Sequence, residues 1–311
     1  MDLSIVIVNW NTRDLLRDCL GSVFQGLGAL KAEVLVVDNA SSDGSCAMLR
    51  QLFPQVHLIE NEHNLGFAAG NNVALRRAKG RHVLLLNTDT LVRGHVLPEA
   101  VAWLDLHPDV AVMGPRVLNG DGSVQPSCSA FPSLFFLAMQ TFGLTRFGAL
   151  DRYRMTGWDR LTERRVDVIS GAAMFVRRSA MAAVGLLDEA FFFYGEETDW
   201  CRRFKKAGWK IVFAPIPEIV HFGNGAAGKL NHRRDVLMTQ GTTRLHRKHG
   251  GLLAGLVCFA LLSAHNTSRA VLWSVLSVLR RPGAAARARH FAAVVADLPQ
   301  AWPRPSRGAT Q

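Results

Sequence analysis

Four short runs in the N-terminal part of the chain, "LSIVIV" (3–8), "EVLVVD" (33–38), "VHLIE" (56–60) and "HVLLLN" (82–87), are each followed by polar residues and then by a helical pattern. Runs rich in Val, Ile and Leu suit strands covered on both faces. Their alternation with helices ending near Gly26, Phe53, Lys79 and Leu106 predicts an α/β fold with a mostly parallel sheet flanked by helices. In a parallel sheet the C-terminal strand ends share one edge, and that edge is where α/β proteins bind ligands. The pattern gathers Val8, Asn9, Trp10 and Asn11 there, with Asp38, with Asn64 and Gly66, and with Asn87, Thr88 and Asp89.

Further strands are expected at 110–114, 166–170, 172–178 and 210–215, a Gly-centred hairpin at 115–126, and a helix over 196–207. Residues 131–150 are apolar and aromatic without a clean period, either a loop over the site or a patch that meets lipid. Beyond Gly225, "GLLAGLVCFALLSA" (251–264) is too short to span a bilayer unaided. "HNTSR" interrupts it, and "AVLWSVLSVLRR" (270–281) places Leu272, Val275, Leu276 and Leu279 on one helical face. The tail is expected to be loose beyond about Pro299. The change of character divides the chain into a domain over 1–228 and a helical extension over 229–311.

A net charge of +11 ordinarily points to nucleic acid or an anionic surface. Here its distribution decides: residues 229–311 hold 13 Lys and Arg against Asp235 and Asp297, and the first 228 residues are neutral. A neutral domain with a lipid-like, Arg-flanked tail excludes nucleic acid as partner and suits the interface of an anionic membrane through residues 251–311. The alternative for the extension is a docked helical pair with a solvated basic end. Five cysteines, odd in number and without zinc-site spacing, read as reduced thiols of a cytoplasmic protein. "MDLSIVIVNW" carries only a short apolar run, which reads as a first strand and not as a signal peptide.

Taken singly, the edge residues have plain explanations: Asp38 before a Ser/Gly turn is a turn former, and Trp10 is packing. Taken together they offer an aromatic ring to stack on a base, a carboxylate to accept from a base or ribose, and glycine to admit phosphates. An acid after the fourth strand can hold a divalent cation bridging a diphosphate. No GxGxxG follows the first strand, so a Rossmann dinucleotide site is not expected. In "FFFYGEETDWCRRFKKAGW" (191–209), acids open a helix and bases follow. The helix dipole and i,i+4 pairing account for Asp199 in that pattern. The aromatic lead-in to Glu196 and Glu197 is the apolar setting that raises a carboxylate toward a general base. His221 is either structural or, if its loop folds back to the strand ends, the completion of a metal site begun by Asp89.

The ordered motifs "SIVIVNWN", "VVDNASSDGS", "NLGFAAGNN", "LLLNTDT", "GAAMFVRR" and "FFFYGEETDWCRR", with Pro217 and His221 after them, resemble inverting family 2 glycosyltransferases of the GT-A fold. The resemblance runs from about Leu3 to Asn224 and is closest to bacterial rhamnosyltransferase-like members that build surface glycans. It implies a nucleotide-diphospho-sugar donor on Val8, Asn9, Trp10, Asn11, Asp38, Asn64 and Gly66. Asn87-Thr88-Asp89 matches the DxD segment, implying Mg²⁺ or Mn²⁺ on Asp89 with Asn87 and His221 as helpers. Glu197 matches the catalytic base, with Glu196 as rival, and Asp199 and Trp200 fall on the acceptor side. The implied layout is a donor half (1–114), an acceptor and base half (115–228), and the membrane-proximal extension. A dTDP-, UDP- or GDP-sugar is implied as donor and a glycan or lipid-linked acceptor. The implied place is cytoplasmic and peripheral, on the inner face of a bacterial membrane. Two rivals stand beside this: a degenerate sugar-nucleotide binder, suggested by Asn87 in place of an acid, and a nucleotidyltransferase, for which "NWNTRD" offers only Arg13.

Overall fold

Strands buried on both faces have to be apolar throughout, and the central strands of the structure are. The computed structural model describes residues 1–144, 153, 155, 157–216, 218–223 and 231–303. They form two compact units interleaved along the chain. The first takes Met1–Phe131, Gly157–Glu189 and Glu196–Gly223; the second takes Pro132–Thr156, Ala190–Gly195 and Asn224–Gln311. The expected boundary at 228 falls in 224–230, outside the described residues, as does Pro217. Two stretches expected in the first domain, Pro132–Thr156 and Ala190–Gly195, group with the C-terminal helices instead.

The first unit begins with the predicted alternation: β1 (Leu3–Asn9), α1 (Arg13–Gly26), β2 (Ala32–Asp38), α2 (Ser45–Leu52), β3 (His57–Glu60), α3 (Gly66–Leu75) and β4 (His82–Leu86). It continues with β5 (Thr90–Val92), α4 (Val96–Leu106), β6 (Val110–Gly114), β7 (Val117–Leu118) and β8 (Cys128–Ser129). The second unit contributes α5 (Leu134–Thr141). The first unit then resumes with β9 (Arg164–Arg165), β10 (Val168–Ile169), β11 (Ala173–Arg177), α6 (Arg178–Val184), α7 (Glu196–Lys206), β12 (Lys210–Phe213) and β13 (Ile219–His221).

An eight-stranded sheet runs in the order β3-β2-β1-β4-β11-β6-β12-β9. All but β11 and β9 point the same way, so the sheet is mostly parallel as expected. Ile5, Val6 and Ile7 on β1 and Val83, Leu84 and Leu85 on β4 are all buried, which is why these strands show no polar alternation. α3 stops at Leu75, short of the expected Lys79. The chain leaves the helix to lay Gly80 on the first strand, where a β-carbon would lie 2.5 Å from the Ser4 amide nitrogen.

Three small features depart from the sequence pattern. The "VDVIS" strand pairs with β8 in a ladder of its own and not with the large sheet. The 115–126 hairpin is a tight turn closed by Asn119 N–H to the Ser123 carbonyl at 2.8 Å, with one bridge, Leu118 to Val124. A three-stranded sheet, β5-β13-β7, was not expected as a sheet; only β7 falls in a stretch expected to be β, the 115–126 hairpin.

The second unit is helical: α5, α8 (His232–Val278) and α9 (Ala284–Asp297). "HNTSR" does not interrupt α8, contrary to expectation. Asn266 Nδ2 donates to the Leu262 carbonyl at 2.9 Å and Ser268 Oγ to the His265 carbonyl at 2.8 Å. These polar side chains therefore bond back onto the helix and do not end it. The break comes at Gly251 (φ 80°, ψ −178°), which divides α8 into two arms. The stretch 131–150, expected as a loop over the site or a lipid-meeting patch, contains α5, capped by Ser133, whose Oγ accepts from the Phe136 amide at 3.1 Å. Residues 145–150 lie outside the described set. Residues 300–303, expected to be loose, are packed: Trp302 meets the Phe259 ring at 5.4 Å, and the Pro303 carbonyl accepts from Arg247 at 3.1 Å; residues 304–311 lie outside the described set.

Candidate active site

The parallel registers set Asn9 directly beside Asp38, and Ile7 beside Leu86 on the other flank. The ends of β1, β2 and β4 therefore open onto one edge, as the apolar runs predicted. Two loops are stitched together there. Asn9 Nδ2 donates to Asp38 Oδ2 at 2.7 Å and to Ser41 Oγ at 3.1 Å, and the Ser41 amide donates to Asp38 Oδ1 at 2.8 Å. The Asn11 amide reaches Ser41 Oγ at 2.9 Å, and the Ser42 amide returns to Asn11 Oδ1 at 2.8 Å. Asn11 sits at φ 54°, a left-handed geometry that Asn tolerates better than most residues. Asp38 is thus buried with both oxygens engaged inside the protein, while Trp10 is 50 % exposed. Val8 lies beneath the loop, and a β-carbon on Gly70 would touch its side chain at 3.1 Å.

Asn64 and Gly66 join this edge through Asn39. Asn39 Nδ2 donates to the Gly66 carbonyl at 3.1 Å, and Asn64 Oδ1 accepts from the Gly66 amide at 2.8 Å. Thr88 is linked to the first loop by Thr12, whose hydroxyl lies 2.9 Å from Thr88 Oγ1 and 2.7 Å from Asn9 Oδ1. Asn87 is fixed by its backbone: its amide donates to the Ala172 carbonyl at 3.0 Å, and its own carbonyl accepts from Thr90 Oγ1 at 2.7 Å.

The three-stranded sheet brings Asp89 and His221 together. β13 pairs antiparallel with β5, opposing His221 to Thr90, and the Phe222 amide donates to the Asp89 carbonyl at 3.0 Å. His221 Nε2 then lies 3.2 Å from Asp89 Oδ1. Its Nδ1 lies 2.6 Å from Gln125 Oε1, a contact that requires a proton on Nδ1. Gln125 is itself held by Nε2 to Asn119 Oδ1 at 2.7 Å. With Nδ1 engaged by Gln125, Nε2 is the ring nitrogen on the Asp89 side. One carboxylate and one imidazole fit a Mg²⁺ or Mn²⁺ ion that takes its remaining ligands from a diphosphate and water. Among the described residues no group of three His, Cys, Asp or Glu converges on one point. Cys19, 3.5 Å from Thr90 Oγ1, is pushed up to about 12 by burial and stays a neutral thiol.

α7 packs on β10, whose chain leads through Ser170 and Gly171 to the carbonyl that holds Asn87. Glu196, 4 % exposed, has its pKa raised well above 4.5 by burial and then by the charge of Glu197. Its Oε2 is buried without a hydrogen bond among the described residues. Glu197 is half-buried as a residue, with its Oε2 buried as well. Asp199 and Trp200, expected on the acceptor side, are fully buried and face the core. Asp199 Oδ2 accepts from Arg203 Nε at 2.9 Å, and Trp200 Nε1 donates to the Gly185 carbonyl at 2.9 Å, so both pin α7 in place. Gln125 and Thr12 were not singled out in the sequence, since a lone Gln in a turn and a Thr before a helix carry no distinguishing signal.

The glycosyl transferase family 2 model matches residues 4–182. The N-acetylglucosaminyl-diphospho-decaprenol L-rhamnosyltransferase of Mycobacterium tuberculosis is 30% identical over 213 residues, 63% of this chain and 68% of that protein. The low-salt glycan biosynthesis hexosyltransferase Agl10 of Haloferax volcanii is 28% identical over 227 residues, 71% of this chain and 67% of that one. Among solved structures, the mannosyltransferase PcManGT of Pyrobaculum calidifontis, in complex with GDP-Man and Mn²⁺, aligns with a TM-score of 0.58 at 16% identity, covering 96% of this chain and 86% of that one. GalNAc-T7 with UDP, GalNAc and Mn²⁺ aligns with a TM-score of 0.55 at 17% identity, over 86% of this chain and 54% of that one. These likenesses establish the GT-A-type fold, and the family match extends over more than half of the chain. The chain belongs to glycosyl transferase family 2 and is a glycosyltransferase.

Proposed function

We propose that the enzyme moves a sugar from a nucleotide-diphosphate donor to a hydroxyl of a glycan or polyprenyl-linked acceptor in bacterial surface polysaccharide synthesis, with inversion at the anomeric carbon. The observation that carries this is the Asp89–His221 pair, 3.2 Å apart, at the sheet edge that also presents Trp10. Trp10 stacks on the donor's base, and the Asn9, Asn11 and Asp38 network shapes the pocket for its nucleoside. Asn64 and Gly66 line the neighbouring segment. Asp89 and His221, with the neutral oxygen of Asn87, would hold a divalent cation. When bound, that ion supplies charge neutralisation of the leaving diphosphate.

Glu197 takes the proton from the acceptor hydroxyl as that oxygen attacks, displacing the nucleoside diphosphate from the opposite face. Glu197 is the less buried residue of the two, although its Oε2 is buried as that of Glu196 is; Glu196 is almost wholly enclosed, and its raised pKa favours the protonated form. Similarity to the mycobacterial enzyme makes dTDP-rhamnose the first donor to test, ahead of UDP- and GDP-sugars, with a polyprenyl-diphospho-N-acetylglucosamine acceptor. The site residues named here, all within the first compact unit, carry this chemistry, and residues 229–311 hold the enzyme at the cytoplasmic face of an anionic membrane, where lipid-linked acceptors reside. Support for that place is an uncharged exposed stripe on the second arm of α8 (Leu252, Leu253, Leu256, Val257, Val271, Leu272, Val275 and Val278), continued by Leu279 just after it. It is centred on Val271, Val275 and Val278, with Leu276 partly covered.

Glu197→Gln is expected to abolish nucleotide release from dTDP-rhamnose with the acceptor while leaving donor binding, read by thermal shift, intact. Near-normal turnover would sink the assignment. A second reading, donor binding without transfer, is favoured by Asn87 where an acid would strengthen a metal site. Detection of transfer by the wild-type chain excludes it.

A further inference from the structure

We propose that Gly241, in the first arm of α8, is a positioning residue for the carboxylates that open α7. The inference rests on the role given above to Glu197. The chain is delivered into Glu196 by Phe191, Phe193, Tyr194 and Gly195, a segment with unusual backbone geometry. Tyr194 lies at φ 71° and Gly195 at φ 98°. An aromatic residue stays in the left-handed region only where its surroundings over-determine it.

Those surroundings are α8. A β-carbon at position 241 would lie 2.0 Å from the Tyr194 carbonyl oxygen, 3.0 Å from its carbonyl carbon and 3.2 Å from the Phe193 carbonyl oxygen. The Tyr194 carbonyl therefore occupies the space of a side chain. The contact is reciprocal, since a β-carbon on Gly195 would lie 3.3 Å from the Gly241 carbonyl oxygen and 3.2 Å from the Phe191 ring. Further along α8, the Lys248 ammonium lies 5.9 Å from the centre of the Phe191 ring. Phe193 meets Tyr194 edge-on at 4.5 Å. A glycine inside a helix is disfavoured unless something requires it. Within α8 the backbone leaves helical geometry only at Gly251, so the helix itself does not call for glycine at 241. Docking of Tyr194 does.

Glu196 follows Gly195 directly, so a shift of the Tyr194 carbonyl turns the first residues of α7. The donor edge at 8–11, 38, 64–66 and 87–89 lies on other elements and should not feel that shift. A side chain misplaced by roughly 1 Å costs on the order of a hundredfold in rate.

In the full-length chain, Gly241→Ala is expected to lower kcat by roughly ten- to a hundredfold. Its donor Kd, by thermal shift with the donor of the Glu197→Gln experiment, should stay within about twofold of wild type, the signature of a lost transition-state contact. Gly21→Ala, a substitution in α1 with nothing within 4 Å, serves as the control with unchanged kcat. Gly195→Ala strains the same contact without altering α8, and is expected to give the same split if Gly241→Ala does not fold. A folded variant with normal kcat, or one that loses donor affinity in step with kcat, overturns the inference. The two readings fail separately: a normal Gly241→Ala beside an inactive Glu197→Gln refutes only the positioning role, whereas an active Glu197→Gln refutes the base assignment itself.

Discussion

Glu196 shows how one buried carboxyl links the site to stability. The folded chain keeps its proton well above 4.5, whereas the unfolded chain gives it up near that value. The folded state therefore binds more protons between the two pKa values, and stability falls as pH rises above about 4.5. Glu196→Gln keeps the shape and cannot ionise, so its melting temperature is expected to fall less than that of wild type as pH rises above about 4.5. Parallel curves in differential scanning fluorimetry would refute the burial argument. At this scale the sequence was legible wherever chemistry and position coincide. Asp89 follows an apolar strand and Trp10 a second one, and a strand end is a place the pattern predicts. Gln125 was illegible because nothing local marks it; only the pairing of β7 with β13 carries it to His221.

Elements were legible in proportion to their length. β1, β2, β4 and β6 could be read because several consecutive residues are buried on both faces, while β7, β8, β9 and β10 have two residues each and no room for a period. The same limit hid the β5-β13-β7 sheet, and with it the reason His221 meets Asp89. α8 was misread for another reason: Asn266 and Ser268 look like breakers but satisfy themselves on the preceding turn. The real break at Gly251 has backbone angles that only glycine adopts readily. Gly251→Ala is expected to destabilise the protein by about 1–3 kcal/mol. Gly21→Ala, in open space on α1, should stabilise it by about 0.5–1 kcal/mol through helix propensity. Urea denaturation measures both, and equal effects would contradict the conformational argument.

The whole molecule joins a charge-balanced catalytic sequence to a basic, apolar-striped extension. Leu253 and Val278, 74% and 82% exposed, show how openly that stripe is presented, and Phe142, just after α5, is 70% exposed in the same unit. Leu253→Glu combined with Val275→Glu is expected to reduce partition onto phosphatidylglycerol vesicles at least tenfold without lowering the melting temperature, since apolar burial and basic charge act together at such a surface. Partition unchanged by the pair would leave the extension a solvated helical appendage. The Asp89–His221 pair has a different implication for assembly. Backbone rungs of the β5–β13 ladder close that long loop, so no ion has to be present for the two side chains to meet. The metal proposed for that site would then be a visitor to a finished fold and not one of its struts. Dialysis against EDTA is expected to silence transfer while leaving the melting curve in place, and adding Mn²⁺ should restore activity on the time scale of mixing, with no refolding step in between.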